Sequence, residues 1–279
     1  MIPLKDDNPT SGRPVVTYLL IGICILIFLV QISSQSYKTG QLFYSYGLIP
    51  SVLMGHNQLP LDLYVVPAYI TIFTSMFMHG GFIHLIGNML YMWIFADNIE
   101  DNLGPSKFLI FYILAGVGAA MTQVFIDTQS QIPMVGASGA IGGVLGAYLI
   151  NHPNAKVLVL IPFGFFSQLI KIRALYVLGF WFILQFISTG GGVAYAAHIG
   201  GFVSGMILIL FFNKKGKNKI IKIRALYVLG FWFILQFISS GGGVAYAAHI
   251  GGFVSGMILI LFFNKKTKRK NKIIKGPWG

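Results

Sequence analysis

Residues 134–150 read MVGASGAIGGVLGAYLI, without one Asp, Glu, Lys or Arg. A charge-free run of this length reads as a transmembrane helix. It carries one serine, Ser138, set among Gly136, Ala137, Gly139 and Ala140. Working outward, similar runs lie at about 15–32, 80–97, 106–126, 174–188 and 193–212. Hydrophobic residues make up 56% of the 279-residue chain and charged residues only 10%, whereas a soluble domain carries about 25% charged. The expected fold is therefore all-α, a polytopic transmembrane helix bundle. The run after Lys5 and Arg13 lacks an Ala-x-Ala cleavage site and is expected as a retained first span. Residues 33–79 are expected as a partly embedded loop with short helices. The segment 157–170 is apolar but short, interrupted by Pro162 and Gly164, and is expected as an interfacial stretch leading into the fifth span.

Two further spans, at about 225–239 and 244–263, are a copy. Residues 170–215 match 221–266 at 45 of 46 positions, differing only at Thr189 and Ser240. The chain thus divides into a tail (1–13), a six-span core (14–215), a linker with a duplicated two-span hairpin (216–266) and a basic tail (267–279). The net charge of +13 is concentrated at one end: thirteen of the twenty Lys and Arg residues follow Asn213, beside apolar segments. That placement suits a topology signal and contact with anionic lipid headgroups, and it argues against nucleic acid. With both termini inside, only Lys38 of the basic residues falls outside.

Spans two, four and six then run from outside to inside, and each carries polar groups near its start: His84 and Asn88, Ser138, and His198. Each of His84, Ser138 and His198 is expected four or five residues into its helix, about 6–8 Å below the outer edge. Polar groups at membrane depth are costly unless they face the bundle or a watery cavity, so a common depth points to one shared site. The glycines around Ser138 would let a substrate backbone approach, and equally would let helices pack closely, as would Gly201 and Gly205 after His198. His84 and Asn88 share a helix face. No His-Glu-x-x-His occurs, and none of the seven acidic residues lies in a span core. Zinc and aspartyl chemistry are thereby disfavoured, leaving Ser and His.

The stretches His79-x4-His84-x3-Asn88, Gly136-Ala137-Ser138-Gly139 and Ala197-His198-x2-Gly201-x3-Gly205 resemble, in order and spacing, the rhomboid family of intramembrane serine proteases. The resemblance covers about 14–215. It implies a Ser–His dyad with Ser138 as nucleophile and His198 as base, His249 of the copied hairpin being the alternative. It implies an oxyanion site from the Ser138 N–H, His84 and Asn88, with His79, Gly136, Gly139, Gly201 and Gly205 in support. Substrates would be single-span membrane proteins cut near the outer side of the bilayer, with no metal or cofactor, in the cytoplasmic membrane of a prokaryote. Two departures stand out. Ile70 and Thr71 occupy the place of a Trp-Arg pair that anchors the first outer loop in some members. Gly142 occupies the place of a Tyr that stacks on the catalytic histidine, so His198 must be oriented by something else. The competing readings are a rhomboid-like protein that binds membrane clients without cutting them, and a transporter or proton channel with a histidine relay.

Overall fold

A computed structural model describes residues 1–33, 36–163, 166–187 and 194–212. The copied hairpin, its His249 and the basic tail lie outside the described residues. Strand β1 (Ile2–Asp6) precedes helix α1 (Val15–Ser33). Three short helices follow: α2 (Ser36–Tyr46), α3 (Pro50–Leu53) and α4 (Thr71–Thr74), the last flanked by 3-10 turns. Then come α5 (Phe82–Leu103), α6 (Pro105–Ile126) and α7 (Ser138–Asn151). The strands β2 (Lys156–Phe163) and β3 (Phe166–Arg173) lead into α8 (Ala174–Ile187) and α9 (Tyr195–Phe212).

The helical bundle is the one expected, and its apolar helices fall where the sequence places them. Helices α1, α6 and α9 are each long and apolar enough to cross a bilayer, and α5 qualifies together with the bent segment before it. Helices α7 and α8 have 14 residues each, about 21 Å against a hydrocarbon thickness of roughly 30 Å. Although short, α7 is the centre of the bundle: every residue from Gly139 to Ile150 is buried. A helix apolar on all sides belongs in such a place.

Three expectations need correction. The segment 157–170 is not a featureless interfacial stretch. It forms most of an antiparallel hairpin, β2–β3, which β1 extends to a three-stranded sheet of order β1-β2-β3. Fourteen residues are too few to span as a helix, but Val157 and Val159 bury alternate side chains with the period of a strand. Ser138 is the first residue of α7, whereas His84 and His198 are the third and fourth of theirs; the serine heads its helix instead of lying a turn inside it. Finally, α5 runs on to Leu103, so Asp97, Glu100 and Asp101 belong to its last turns. Glu100 is buried there and accepts bonds from the Val16 N–H (2.9 Å), the Thr17 N–H (2.8 Å) and the Thr17 hydroxyl (2.8 Å). A carboxylate at the start of α1 satisfies N–H groups that the helix itself leaves unpaired.

The region 33–79 holds short helices, as expected, and is tied down without the Trp-Arg pair. Leu48 and Met134 exchange backbone bonds of 3.0 and 2.8 Å. Leu48 packs with Ala120 and Val124 of α6, joined by Leu53, Ile72 and Met134. The Thr74 hydroxyl donates to the Tyr46 carbonyl at 2.6 Å.

Candidate active site

Helices α7 and α9 pack backbone against backbone, and glycine makes it possible. A Cβ on Gly201 would sit 1.9 Å from the Gly139 carbonyl oxygen, and one on Gly205 would sit 1.9 Å from that of Gly143. The two backbones touch, as small-residue spacing permits. This contact sets the register that brings the heads of α7 and α9 together. There the Ser138 Oγ lies 2.8 Å from the His198 Nε2, a hydrogen bond of ordinary length.

His84 approaches from α5. The Gly80 N–H donates to its Nδ1 at 3.3 Å, which leaves the proton on Nε2. Gly136, at φ +131°, takes a conformation that L side chains rarely adopt. A Cβ there would also lie 2.8 Å from the His84 Nε2 and 3.4 Å from the Ser138 Oγ. Glycine at 136 is therefore what lets the imidazole and the hydroxyl face one space. Asn88, one turn further along α5, is buried at 8% exposure, and its side-chain NH2 has no hydrogen-bond partner. Buried donors are almost always paired, so an unpaired one beside a cavity is a donor awaiting an acceptor. The cavity is about 900 Å³, and Ser138, His198, His84, Asn88, Met76 and Trp181 all line it. At the head of α7 the first-turn N–H groups lack intrahelical partners and add to the donors facing this space.

His79 stays out of reach of the serine. It is buried, with its ring edge-on to His84 at 5.3 Å. Its backbone is clamped by Gln31 of α1: the His79 N–H donates to the Gln31 Oε1, and the Gln31 Nε2 donates to the His79 carbonyl, both at 3.1 Å. His79 thus holds the entry to α5 and backs His84.

Two residues beside His198 escaped the sequence reading. Gln185 of α8 places its Oε1 2.8 Å from the His198 Nδ1. Trp181, one turn earlier, lays its ring beside the imidazole, with centroids 5.8 Å apart and planes 33° apart. The signal was present in outline: Gln185 is the one amide in the apolar stretch ALYVLGFWFILQFI, and a polar group in such a stretch asks for a partner.

A family model for the rhomboid domain matches residues 66–215, which takes in α4 to α9 and every residue that lines the cavity just described. The chain belongs to the rhomboid family. It is 32% identical to rhomboid protease GluP of Bacillus subtilis over 197 residues, 70% of this chain and 34% of that protein. It is 29% identical to rhomboid protein 1, mitochondrial, of Saccharomyces cerevisiae over 175 residues, 60% of this chain and 48% of the relative. It is 27% identical to rhomboid protease GlpG of Haemophilus influenzae over 217 residues, 78% of this chain and all of that one. The chain spans about half or less of the yeast and Bacillus relatives. As a rhomboid with apolar helices of spanning length, it is a multi-pass membrane protein.

Proposed function

We propose that this rhomboid is an intramembrane serine endopeptidase with a dyad of Ser138 and His198. The observation that carries the reading is the 2.8 Å bond from the Ser138 hydroxyl to the His198 Nε2, at the wall of a cavity onto which the unpaired Asn88 amide opens. The Ser138 Oγ attacks the scissile carbonyl carbon while its proton passes to the His198 Nε2. The carbonyl oxygen becomes an oxyanion, and three donors suit it: the Ser138 N–H, the His84 Nε2–H and the Asn88 NH2. As the C–N bond breaks, His198 returns the proton to the leaving amine and an ester to Ser138 remains. Water then attacks that ester, giving its proton to His198, and the free acid departs as the Ser138 hydroxyl is restored.

The substrates are single-span membrane proteins, cut near the outer side of the bilayer. The protein resides in the cytoplasmic membrane of a prokaryote with both termini inside. Residues 14–215 form the catalytic core, and the hairpin within 216–266 is an additional copy whose His249 is not needed. Ser138→Ala removes the nucleophile from a site already built of Gly and Ala, so it abolishes cleavage of a single-span substrate in liposomes while the protein still folds. Residual turnover in the purified variant defeats the mechanism. In the full chain, His198→Ala is inactive and His249→Ala is normal. If each single change keeps activity and only the double change loses it, the two hairpins exchange.

A further inference from the structure

His198 can act as a base at Nε2 only in the tautomer that carries its proton on Nδ1, and a neutral imidazole does not choose that form by itself. The groups around it make the choice. The Gln185 Nε2 donates to the Trp181 backbone carbonyl at 2.7 Å. A carbonyl can only accept, so the amide orientation is fixed: NH2 toward Trp181, Oε1 toward His198. At 2.8 Å from the His198 Nδ1, that oxygen requires an N–H there. The Nε2 lone pair is then free for the Ser138 hydroxyl at 2.8 Å. One main-chain carbonyl thus sets the polarity of three successive hydrogen bonds across α8, α9 and α7.

Packing holds the same arrangement. Gln185 is buried, and the Trp181 ring lies beside the imidazole. Gly142 makes room from the other side: a Cβ at 142 would meet the His198 carbonyl at 2.9 Å and the Trp181 Cη2 at 3.7 Å. An aromatic neighbour of the histidine therefore comes from α8 instead of α7, with Tyr195 of α9 edge-on to the same ring. It arrives on the same helical turn as the carbonyl that orients Gln185.

We propose that Gln185 is the positioning residue of His198: its amide, anchored on the Trp181 carbonyl, receives the Nδ1–H and so makes Nε2 the base. The proposal rests on the Ser138–His198 dyad. A neutral amide fixes tautomer and ring orientation as the buried carboxylate of a Ser-His-Asp triad does, but adds no negative charge beside the imidazolium. The sequence couples these parts. The copied hairpin repeats the same three residues in sequence as Trp232, Gln236 and His249.

The test uses the full chain in detergent and in liposomes. Gln185→Met keeps the volume and loses both bonds; Gln185→Glu keeps an acceptor toward Nδ1. Expected is a fall in kcat of at least about 10–100-fold for Gln185→Met, the scale seen for partners that orient a metal-bound imidazole, with KM within about twofold. Fluorophosphonate capture at Ser138 slows in proportion, and Gln185→Glu recovers most of the rate. In 15N-histidine spectra, with His198 assigned by difference from a His198→Gln sample, the wild type shows a protonated Nδ1 and Gln185→Met loses that preference. Wild-type kcat in Gln185→Met overturns the proposal, and so does an unprotonated Nδ1 in the wild type. Equal losses in the Met and Glu variants with lowered melting temperatures also overturn it, because they assign Gln185 a packing role only. In each of those cases an inactive Ser138→Ala leaves the dyad standing, whereas an active Ser138→Ala removes the dyad and the proposal with it.

Discussion

Two of the polar side chains that helix α5 buries, Asn88 and Glu100, lie twelve residues apart, about 18 Å along its axis, and they are treated in opposite ways. Glu100, near its C-terminal end, is 2% exposed and takes three hydrogen bonds from the start of α1. Asn88, near its N-terminal end, is 8% exposed and its NH2 has no partner. A buried charge survives when donors surround it, and there Glu100 ties two helices together. A buried donor left open costs stability, about 1–3 kcal/mol. Here the open donor lines the cavity, where an acceptor can reach it. Under the proposed mechanism, the difference separates the structural end of the bundle from the chemical end, on one helix.

Changes at each end test that contrast. Asn88→Ala lowers kcat by about 10²–10³, or about 2.7–4 kcal/mol of transition-state stabilisation. Its melting temperature stays level or rises, because an unsatisfied donor has gone; an unchanged kcat takes Asn88 out of the site. Glu100→Gln does the reverse. The amide turns an NH2 toward donors that a carboxylate accepted, and stability falls by about 1–3 kcal/mol, while kcat of the folded fraction is unchanged. Loss of turnover at full stability would break the division between the two ends.

The smallest effect is expected at Asp6, on the same side as Glu100. It accepts from the Tyr148 hydroxyl and from the Asn98 amide. Burial lifts its carboxyl to about 6, helped by the charges of Asp97 and Asp7. A carboxyl with a raised native value holds its proton in the folded state while the unfolded chain has released it. Stability from this group therefore falls as pH rises from about 4 to about 6 and is level above that. Asp6 is half-buried, so solvent screens part of this effect. Asp6→Asn should flatten the fall of melting temperature across that window, and an unaltered pH profile would show that Asp6 titrates normally.

Much of this was legible in the residues. Charge-free runs located the helices because hydrocarbon tolerates few unpaired polar groups. The same cost made His84, Asn88, Ser138 and His198 conspicuous. The sheet was less visible: the stretch 157–170, apolar but short and expected at the interface, buries Val157 and Val159 in alternation as a strand does. Gln185 stood out as the amide of α8 without revealing its partner.

The sequence by itself determined the helices, the small-residue faces of α7 and α9, and the polar side chains from which the proposed site is drawn, because these follow from local hydropathy and spacing. Only the tertiary structure decided which atoms meet. The Ser138–His198 bond depends on the Gly139–Gly201 contact between two helices. The tautomer of His198 depends on a third helix, through Gln185 and the Trp181 carbonyl. A hydrogen bond is fixed to within a few tenths of an ångström, and no pattern along one chain specifies a distance between side chains that it holds on separate helices.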